Sequence, residues 1–426
     1  MARGPKRTRI ALVTYAMHCG GMESFLLRLA RYLHQRDYDV ELITTVEPGE
    51  WFGRVGELQI RAEHIAGYRP SGGLAPLQHS LRVSTRLARG RYDVILLNHA
   101  RHAQAALARL PENVVVIPVL HNDVEEIYQV GCGNQDAWNV AVAVGPKVAA
   151  TARQRLPHRP VLQLWSGVDL PEPDRRSERP PITRHRVELI YVGRLDHAQK
   201  GVLWLPEIHR ACLDHGLDAS LTIVGDGPDG ERLQARFSEL DLSNRTRHLK
   251  GLTPEVIYGF LQQAHILLSP SQFEGLPLAL LESQACGCVP VASLLPGITD
   301  AAVEESVTGV LVKVGDVSGF ARAVVALCDD PGRWSAMSEA GHARIERTFS
   351  VDTMGQSYRQ LITDALNGHY PLPRRRKDQA PLVLGVFSWR EFLPDRVRRL
   401  GRQSRGWIAK SLHRRREGKR PAVLRH

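Results

Sequence analysis

The stretch Val187 to Gly201 reads VELIYVGRLDHAQKG, an apolar run that ends at a glycine and leads into a helical pattern. The same order recurs downstream in SLTIVG (220–225), HILLSP (265–270) and VPVAS (289–293), where each run enters a turn that contains Gly, Ser or Pro. Short β-rich runs that alternate with helices predict βαβ units and a parallel sheet. The second half of the chain is therefore predicted to form a doubly wound α/β domain.

The first half of the chain has the same organisation. Its β-rich runs are RIALVTY (9–15), VELITT (40–45), DVILLN (93–98) and VVVIPVL (114–120). A polar, proline-bearing segment, PEPDRRSERPPIT (171–183), interrupts the pattern as a linker does. We expect two Rossmann-like sheets that face a cleft, with ligands at the carboxyl ends of the strands. The expected parts are an N-terminal Rossmann-like domain (1–178), a C-terminal Rossmann-like domain (179–352), a crossover helix that packs back on the first domain (353–370) and a basic tail (371–426).

Composition restricts the function classes. The hydrophobic fraction of 43% and the charged fraction of 24% are those of globular proteins. The six cysteines are scattered, the start MARGPKRTRIALVTYA lacks a signal-peptide pattern, and no run of 18 apolar residues occurs. These features predict a cytoplasmic protein without a membrane-spanning helix.

The net charge of +11 is concentrated at the end of the chain. Residues 371–426 contain 17 Lys and Arg against 4 Asp and Glu, whereas residues 1–370 contain 39 against 41. The body is therefore nearly neutral, and no nucleic-acid partner is predicted because no recognised binding module accompanies the arginines.

Within the tail, apolar side chains recur near one face of a helix-like stretch that arginines otherwise cover. A basic amphipathic stretch of this kind indicates docking on an anionic membrane surface, here through residues 374–416. A solvated tail is the alternative, and Gly401 and Gly406 favour it. The apolar positions are Leu393, Val397, Leu400, Trp407, Ile408 and Leu412.

The candidate active site is the segment SPSQFEGLPLALLESQACGCVP (269–290). Glu274 directly follows a predicted strand, Glu282 comes eight positions later, and Pro277 suits the first position of a helix. The free N–H groups of such a helix start form an anion site. One carboxylate is then placed to hold sugar hydroxyls and the other to hold a ribose, although spacing alone fits two ordinary surface carboxylates equally well.

The Glu-Gly-Leu-Pro opening with a second Glu after seven residues resembles the signature of the family 4 retaining glycosyltransferases, which have the GT-B fold. The resemblance covers about residues 8 to 366. It implies that Arg194 and Lys200, in YVGRLDHAQKG (191–201), bind the donor diphosphate together with the helix start at Gly275, Leu276 and Leu278. It also implies roles for Glu274 on the donor sugar and Glu282 on the ribose.

In the first half, the resemblance extends to CGGMESFLLRLARYL (19–33), where Gly20 and Gly21 allow the backbone to approach the donor phosphates and the acceptor. Phe25, Leu29 and Leu33 have helical spacing and are predicted to be core. His121, after the fourth apolar run, matches the family position at which a histidine faces the donor sugar. The sequence departs from the family at Ser166, and at Pro296, Gly297 and Asp300, which leaves the donor sugar open.

Four other patterns are weaker. Gly225, Gly227 and Gly230 have the spacing of a nicotinamide-binding loop, but a tight turn near the donor base is favoured. Asp37 and Asp39 resemble a metal-binding pair, but we expect them in a surface turn. Cys286 and Cys288 lack the further ligands of a zinc site. Glu274 and Glu282 as a glycosidase pair are disfavoured by the diphosphate-binding cations beside them.

The sequence thus predicts a retaining, metal-independent glycosyltransferase without a cofactor. Its catalytic candidates are Glu274, His121, Arg194 and Lys200, and no dedicated base is named. The expected partners are a nucleotide-sugar donor, a glycan or lipid-linked glycan acceptor such as lipopolysaccharide, and the cytoplasmic face of a membrane. The alternatives are another GT-B enzyme, such as a sugar-nucleotide epimerase or a phosphorylase-like enzyme, and a catalytically silent membrane-surface scaffold.

Overall fold

A computed structural model describes residues 7–68, 74–171, 179–373, 375 and 387 of the chain. Two parallel sheets dominate it, one of seven strands and one of six. The first sheet consists of β1 (Arg9–Thr14), β2 (Asp39–Thr44), β3 (Arg61–His64), β4 (Val94–Asn98), β5 (Val115–Leu120), β6 (Ala141–Ala143) and β7 (Val161–Gln163). The second consists of β8 (Val187–Val192), β9 (Ala219–Val224), β10 (Thr246–Leu249), β11 (Ile266–Ser269), β12 (Val289–Ser293) and β13 (Val310–Val312).

Both sheets are doubly wound. The strand orders are β3-β2-β1-β4-β5-β6-β7 and β10-β9-β8-β11-β12-β13, and every pairing between neighbours is parallel. The direction of winding reverses between β1 and β4 in the first sheet and between β8 and β11 in the second. Such switch points open a crevice at the carboxyl ends of the strands. The loops after these four strands are therefore where a ligand site is expected.

Helices connect the strands and cover both sheets. Those of the first half are α1 (Gly21–His34), α2 (Arg54–Glu57), α3 (Ala75–Arg89), α4 (Arg101–Ala105), α5 (Glu125–Gly131) and α6 (Pro146–Arg155). Those of the second half are α7 (His197–Lys200), α8 (Leu205–Asp214), α9 (Gly230–Glu239), α10 (Pro254–Gln263), α11 (Leu278–Ala285), α12 (Thr299–Ala302), α13 (Val317–Asp329), α14 (Pro331–Arg344) and α15 (Val351–Leu366). Short 3-10 turns occur at Leu107–Arg109, Gln135–Ala137, Val202–Trp204 and Ser243–Arg245, and Ile345–Phe349 is a π-helical turn.

The last helix returns to the first domain. Tyr358 of α15 is fully buried, and its ring centroid lies 5.6 Å from that of Phe25 in α1. Gly355 packs so closely on the Tyr32 ring that an added Cβ would lie 2.2 Å from it. Phe25, Leu29 and Leu33 are all buried in this core, as their spacing predicted. The apolar face of α15 therefore ties the end of the second half to α1.

The sequence located the long elements but not all boundaries. Every β-rich run that it identified is a strand, whereas β3, β6, β7, β10 and β13 are short and were not foreseen. Helix α1 begins at Gly21, so that the second glycine of the pair is its first residue. The prediction that α11 begins at Pro277 is wrong, because Pro277 has an extended ψ of 98° and serves as the N-cap, so that Leu278 is the first helical residue.

Two further predictions concern membranes. Among the described residues, no helix has the length and apolar character needed to cross a bilayer. The basic amphipathic stretch lies outside the described residues, apart from Arg375 and Phe387.

Candidate active site

A buried ion pair joins the two loops of the second switch point. Lys200 Nζ donates to Glu274 Oε1 at 2.5 Å, and the Ser271 hydroxyl donates to the same oxygen at 2.7 Å. The Glu274 side chain is only 6% exposed and that of Lys200 is 21% exposed. The structure therefore brings together two of the residues that the sequence predicted to act at the donor. Because both charges are largely removed from water, each stabilises the ionised form of the other.

Local chemistry fixes the loop that carries Lys200. The Asp196 carboxylate caps the single-turn helix α7 by accepting from the Ala198 N–H at 3.1 Å. Gly201 ends the turn in the left-handed region, with φ of 63°, where a Cβ would lie 2.1 Å from the Pro270 carbonyl oxygen. Only glycine permits this close approach of the two loops. The position of Lys200 beside Glu274 follows from it.

Arg194 lies on the same loop but outside the ion pair. It is exposed, and its carbonyl oxygen accepts from the Tyr191 hydroxyl at 2.8 Å. Its guanidinium has no ion-pair partner among the residues that the structure describes. The cation is therefore held on a fixed backbone and is available to an anionic ligand.

The start of α11 meets the first domain. Gly275 forms an isolated antiparallel bridge with Asn122, and a Cβ on Gly275 would lie 2.3 Å from the His121 carbonyl oxygen. Leu278, the first residue of α11, packs 3.6 Å from the Cβ position of Gly21. The predicted residues Gly21, Gly275 and Leu278 are thus brought together, and Leu276 packs against the cores of both domains. The helix start with its free N–H groups lies at the contact between the two switch points.

The loop after β1 places Gly20 and Gly21 at the start of α1. Gly20 is the N-cap, and a Cβ there would lie 2.7 Å from Glu23 Oε2. Glu23 is 7% exposed, and burial is the main cause that raises its pKa to about 7. The sequence contained Glu23 in the same motif, but its burial was not foreseen because a charged residue in a first helical turn is usually exposed.

His121 is held as a neutral imidazole. Its Nε2 is 2.8 Å from Asn98 Oδ1 at the end of β4, and its ring packs edge-on against Phe25 at 4.9 Å. Burial, helped by the nearby His99, lowers the pKa of His121 to about 3. A neutral ring that donates from Nε2 to an amide oxygen keeps Nδ1 as an acceptor. The His121 ring, packed between Asn98 and Phe25, is therefore uncharged.

Glu282 lies one turn into α11 and is held from the other domain. Arg28 of α1 donates to Glu282 Oε1 at 2.8 Å and to the Tyr258 hydroxyl at 3.2 Å, and it also binds Asp169 at 2.7 Å. The sequence analysis missed Arg28, Tyr258 and Asp169. The available signal was Arg28 itself, a charged residue set between Phe25 and Leu29 on the apolar face of α1.

The weaker sequence patterns have structural explanations. Gly225 and Gly227 form a turn that packs on the loop after β8, since a Cβ on Gly227 would lie 2.5 Å from the Leu195 carbonyl oxygen. Asp37 lies in a surface turn as expected, with a left-handed φ of 67° and a pair with Arg7 at 2.9 Å, whereas Asp39 is the first residue of β2 and pairs with Arg9 at 3.0 Å. In the described parts of the chain, no group of three or more His, Cys, Asp or Glu is arranged to hold a metal ion.

Comparisons with known proteins agree with this geometry. A family model described as Glycosyltransferase Family 4 matches residues 19–170, and one described as Glycosyl transferases group 1 matches residues 186–330. The two matches correspond to the two sheets. Among solved structures, HepE of Anabaena in complex with UDP is similar, with a TM-score of 0.66 and 18% identity, over 84% of this chain and 100% of that one.

Curated relatives differ in how much of the chain they match. The glycogen synthase of Mycobacterium tuberculosis is 31% identical over 192 residues, which is 44% of this chain and 45% of that protein, so less than half of its length is spanned. The D-inositol 3-phosphate glycosyltransferase of Salinispora tropica is 26% identical over 82% of each chain. An Escherichia coli enzyme named UDP-Gal:alpha-D-GlcNAc-diphosphoundecaprenol alpha-1,3-galactosyltransferase is 29% identical, over 43% of this chain and 47% of that protein.

Two doubly wound parallel sheets whose carboxyl-end loops meet at the Asn122–Gly275 bridge have the arrangement of the GT-B class of glycosyltransferases. Both halves of the chain match glycosyltransferase models in the order that this class requires. The chain belongs to family 4 of the glycosyltransferases.

Proposed function

We propose that the chain is a retaining, metal-independent glycosyltransferase that moves a sugar from a nucleotide-diphosphate sugar to a hydroxyl group of a glycan or lipid-linked glycan. The observation that carries the proposal is the buried Lys200–Glu274 pair beside the start of α11. A fixed cation next to free helix N–H groups suits a diphosphate. The carboxylate at the same point suits the hydroxyls of the attached sugar.

The donor diphosphate lies between Arg194, Lys200 and the N–H groups at Gly275 to Leu278. Negative charge grows on the diphosphate as the bond from its oxygen to the anomeric carbon breaks, and preorganised cations and dipoles stabilise that charge. Glu274 Oε1 is already held by Lys200 and Ser271, which orients the carboxylate before the sugar arrives.

The acceptor hydroxyl approaches from the Gly20 and Gly21 side, on the face from which the diphosphate leaves. Its oxygen forms the new bond to the anomeric carbon while its proton passes to the departing diphosphate, so the configuration is retained and no side-chain base is required. His121 contributes a neutral, oriented ring to the same cleft. Closure of the two domains excludes water that would otherwise hydrolyse the donor.

One relative's name and the tail support a lipid-linked acceptor. The similar Escherichia coli enzyme is named for a diphosphoundecaprenol-linked acceptor, whereas the Salinispora tropica enzyme is named for inositol 3-phosphate, which carries no lipid. In this chain, Arg375 is buried and donates to the carbonyl oxygens of Ala137 and Val114 at 3.0 and 2.8 Å. Phe387 packs on the His102 ring at 5.5 Å. Both anchors lie on the first domain, so we infer that the basic residues after Phe387 begin at the acceptor side, where an anionic membrane would present a lipid-linked substrate.

The donor site is tested by calorimetry with UDP, GDP, ADP and dTDP sugars in the presence of EDTA. We expect one nucleotide sugar to bind saturably to the full chain, with the affinity strongly reduced in Arg194→Ala and Glu274→Ala. Binding that occurs only when EDTA is left out would overturn metal independence. Isomerised donor without transfer would favour an epimerase, and no binding by any donor would favour the silent scaffold.

The tail is tested by deleting residues 388–426, which keeps both Arg375 and Phe387 in place. We expect the truncated chain to bind soluble donor normally but to lose recovery on vesicles that contain anionic lipid. Vesicles of neutral lipid alone are the control, because the attraction is electrostatic at about 1 kcal/mol per basic residue. Equal recovery of both chains on anionic vesicles would contradict membrane docking.

A further inference from the structure

Arg28 is a buried cation that contacts both domains. It lies on α1, two turns after Gly21, and its side chain is 4% exposed. Its Nε donates to Asp169 in the connection between the domains, while Nη2 donates to Glu282 and Tyr258 of the second domain. One guanidinium on the first domain therefore determines where a side chain of the donor half is held.

Asp169 does not depend on Arg28 for a cationic partner. Arg31, 40% exposed and one turn further along α1, also pairs with the Asp169 carboxylate. Glu282 has no cation other than Arg28 as a partner among the described residues. In addition, Nη1 of Arg28 is buried without a hydrogen bond to any described residue, which costs free energy. Burial of this arginine is unfavourable, and its charge is directed at Glu282. We therefore infer that Arg28 has a function at Glu282.

Glu282 is held by one oxygen only. Its Oε1 accepts from Arg28, whereas Oε2 has no hydrogen-bond partner in the described part of the chain, and the side chain is 13% exposed. A carboxylate whose two oxygens are both unbound rotates freely about its last bond. With Oε1 fixed from the neighbouring domain, that rotation is arrested and Oε2 remains for a ligand.

The two helices that carry the pair contact each other at their starts. Gly21 at the start of α1 packs on Leu278 at the start of α11, and Arg28 and Glu282 lie further along the same two helices. If the domains separated, Arg28 would withdraw from Glu282 together with α1. The orientation of Glu282 thus depends on the contact between the domains.

We propose that Arg28 is a positioning residue for the donor ribose, which holds Glu282 across the domain junction so that the ribose site is complete only when the domains are in contact. The proposal rests on the proposed function, and on the role at the donor ribose that the family resemblance implies for Glu282. Arginine suits this role because its planar fork reaches Asp169, Glu282 and Tyr258 at once. A lysine ammonium is a single point and cannot reproduce that geometry.

The test compares a nucleoside diphosphate with its 2′-deoxy analogue, using UDP and 2′-deoxy-UDP or the matching pair for the base that the donor panel selects. Calorimetry on the full wild-type chain should show a preference of about 10- to 100-fold for the ribose form, the size of a lost hydrogen bond to a charged group. In Arg28→Lys, we expect the preference to fall to within a few-fold. Arg31→Lys is the matched control, since Arg31 binds Asp169 but not Glu282, and it should keep the wild-type preference.

The preference is a ratio that a general loss of stability does not change. If Arg28→Lys does not fold, the double variant Arg28→Gln/Glu282→Gln removes one cation and one anion together and leaves Arg31 with Asp169. We expect its ratio to equal that of Glu282→Gln alone, because Arg28 acts only through Glu282. A further decrease in the double variant would overturn the proposal.

Two outcomes separate this inference from the proposed function. A folded Arg28→Lys chain with the full wild-type preference overturns the role of Arg28 and leaves glycosyl transfer intact. A wild-type chain that binds a nucleotide sugar but does not distinguish ribose from deoxyribose overturns the ribose role of Glu282, and the role of Arg28 with it. A chain that binds no nucleotide sugar overturns the proposed function itself.

Discussion

The two switch points of the molecule hold their polar groups in opposite ways. At the second sheet, Lys200 and Glu274 lie 2.5 Å apart as a buried ion pair. At the first sheet, burial lowers the pKa of His121 to about 3 and raises that of Glu23 to about 7, so that one group is neutral and the other is close to half protonated at neutral pH. Charges act most strongly where water is excluded. The second domain therefore holds a charged pair next to the exposed cation of Arg194, whereas the buried groups of the first domain are wholly or partly uncharged, as the proposed donor and acceptor sides require.

This difference agrees with a reaction in which the departing diphosphate takes the acceptor proton. A fully ionised carboxylate beside the acceptor would repel the diphosphate and compete with it for that proton. In the first domain, the carboxylate nearest to the glycine loop is instead desolvated, which disfavours its ionised form. Substitutions at the donor half, at the contact between the halves and at the acceptor half test this difference.

The largest effect is expected from Lys200→Met. The variant removes the cation and leaves the Glu274 side chain, 6% exposed, without its ionic partner. We expect the rate of transfer to fall about 100- to 1000-fold, the range for loss of one preorganised donor. The measurement is a single-turnover rate at saturating donor. Arg210→Met is the control, because Arg210 forms an exposed pair with Asp214 on α8 and its loss should leave the rate within about twofold.

Gly275→Ala should break the contact between the halves. The new Cβ would lie 2.3 Å from the His121 carbonyl oxygen and 2.7 Å from the Asn122 Cα, and backbone cannot give way there as a flexible side chain does. We expect a loss of stability of about 1 to 3 kcal/mol, the usual cost of overpacking, with a lower rate of transfer. Gly259→Ala is the matched control: no atom lies within 4 Å of its added Cβ, and alanine in α10 should slightly stabilise the chain. Equal behaviour of the two variants would argue against the contact.

The neutral state of His121 gives a pH dependence of known sign. Its folded-state pKa is depressed to about 3, so the unfolded chain binds the proton more readily and stability is lost as the pH falls below about 6.5. Between pH 7 and pH 5, this site alone should cost about 2 kcal/mol. Denaturant unfolding of wild type and His121→Asn at pH 7 and pH 5 measures this cost, because the asparagine side chain does not bind a proton in this range. Parallel pH profiles for the two chains would contradict a neutral, desolvated His121.

The sequence predicted the two sheets because each long strand is an apolar run followed by a small-residue turn, as in VELIYVG and HILLSP. The family resemblance also implied that Lys200 and Glu274 act at one donor site. The sequence did not predict that they bind each other, because a contact 74 positions apart along the chain depends on how Gly201 packs against Pro270. Arg28 was missed for a similar reason: its partners lie in the second domain and the connection, and helical periodicity on α1 carries no information about them.

Glu23→Gln is expected to give the smallest effect, and it tests whether the buried carboxyl of the acceptor half is protonated. Burial raises the pKa of this carboxyl to about 7, opposed by its own N–H bond and by His18 and assisted by Glu50. Because the folded-state pKa lies above the unfolded value, ionisation destabilises the fold, and the penalty grows as the pH rises from about 4.5 to 7.

Glutamine has the same shape without the charge. We therefore expect Glu23→Gln to stabilise the chain by about 1 to 2 kcal/mol more at pH 6.5 than at pH 5, measured by denaturant unfolding. Glu47→Gln, which removes an exposed carboxylate beside His18, is the control and should show a much smaller dependence on pH. A gain for Glu23→Gln that is equal at both pH values would mean that the carboxyl is already ionised at low pH, and the acceptor half would then carry a charge as the donor half does.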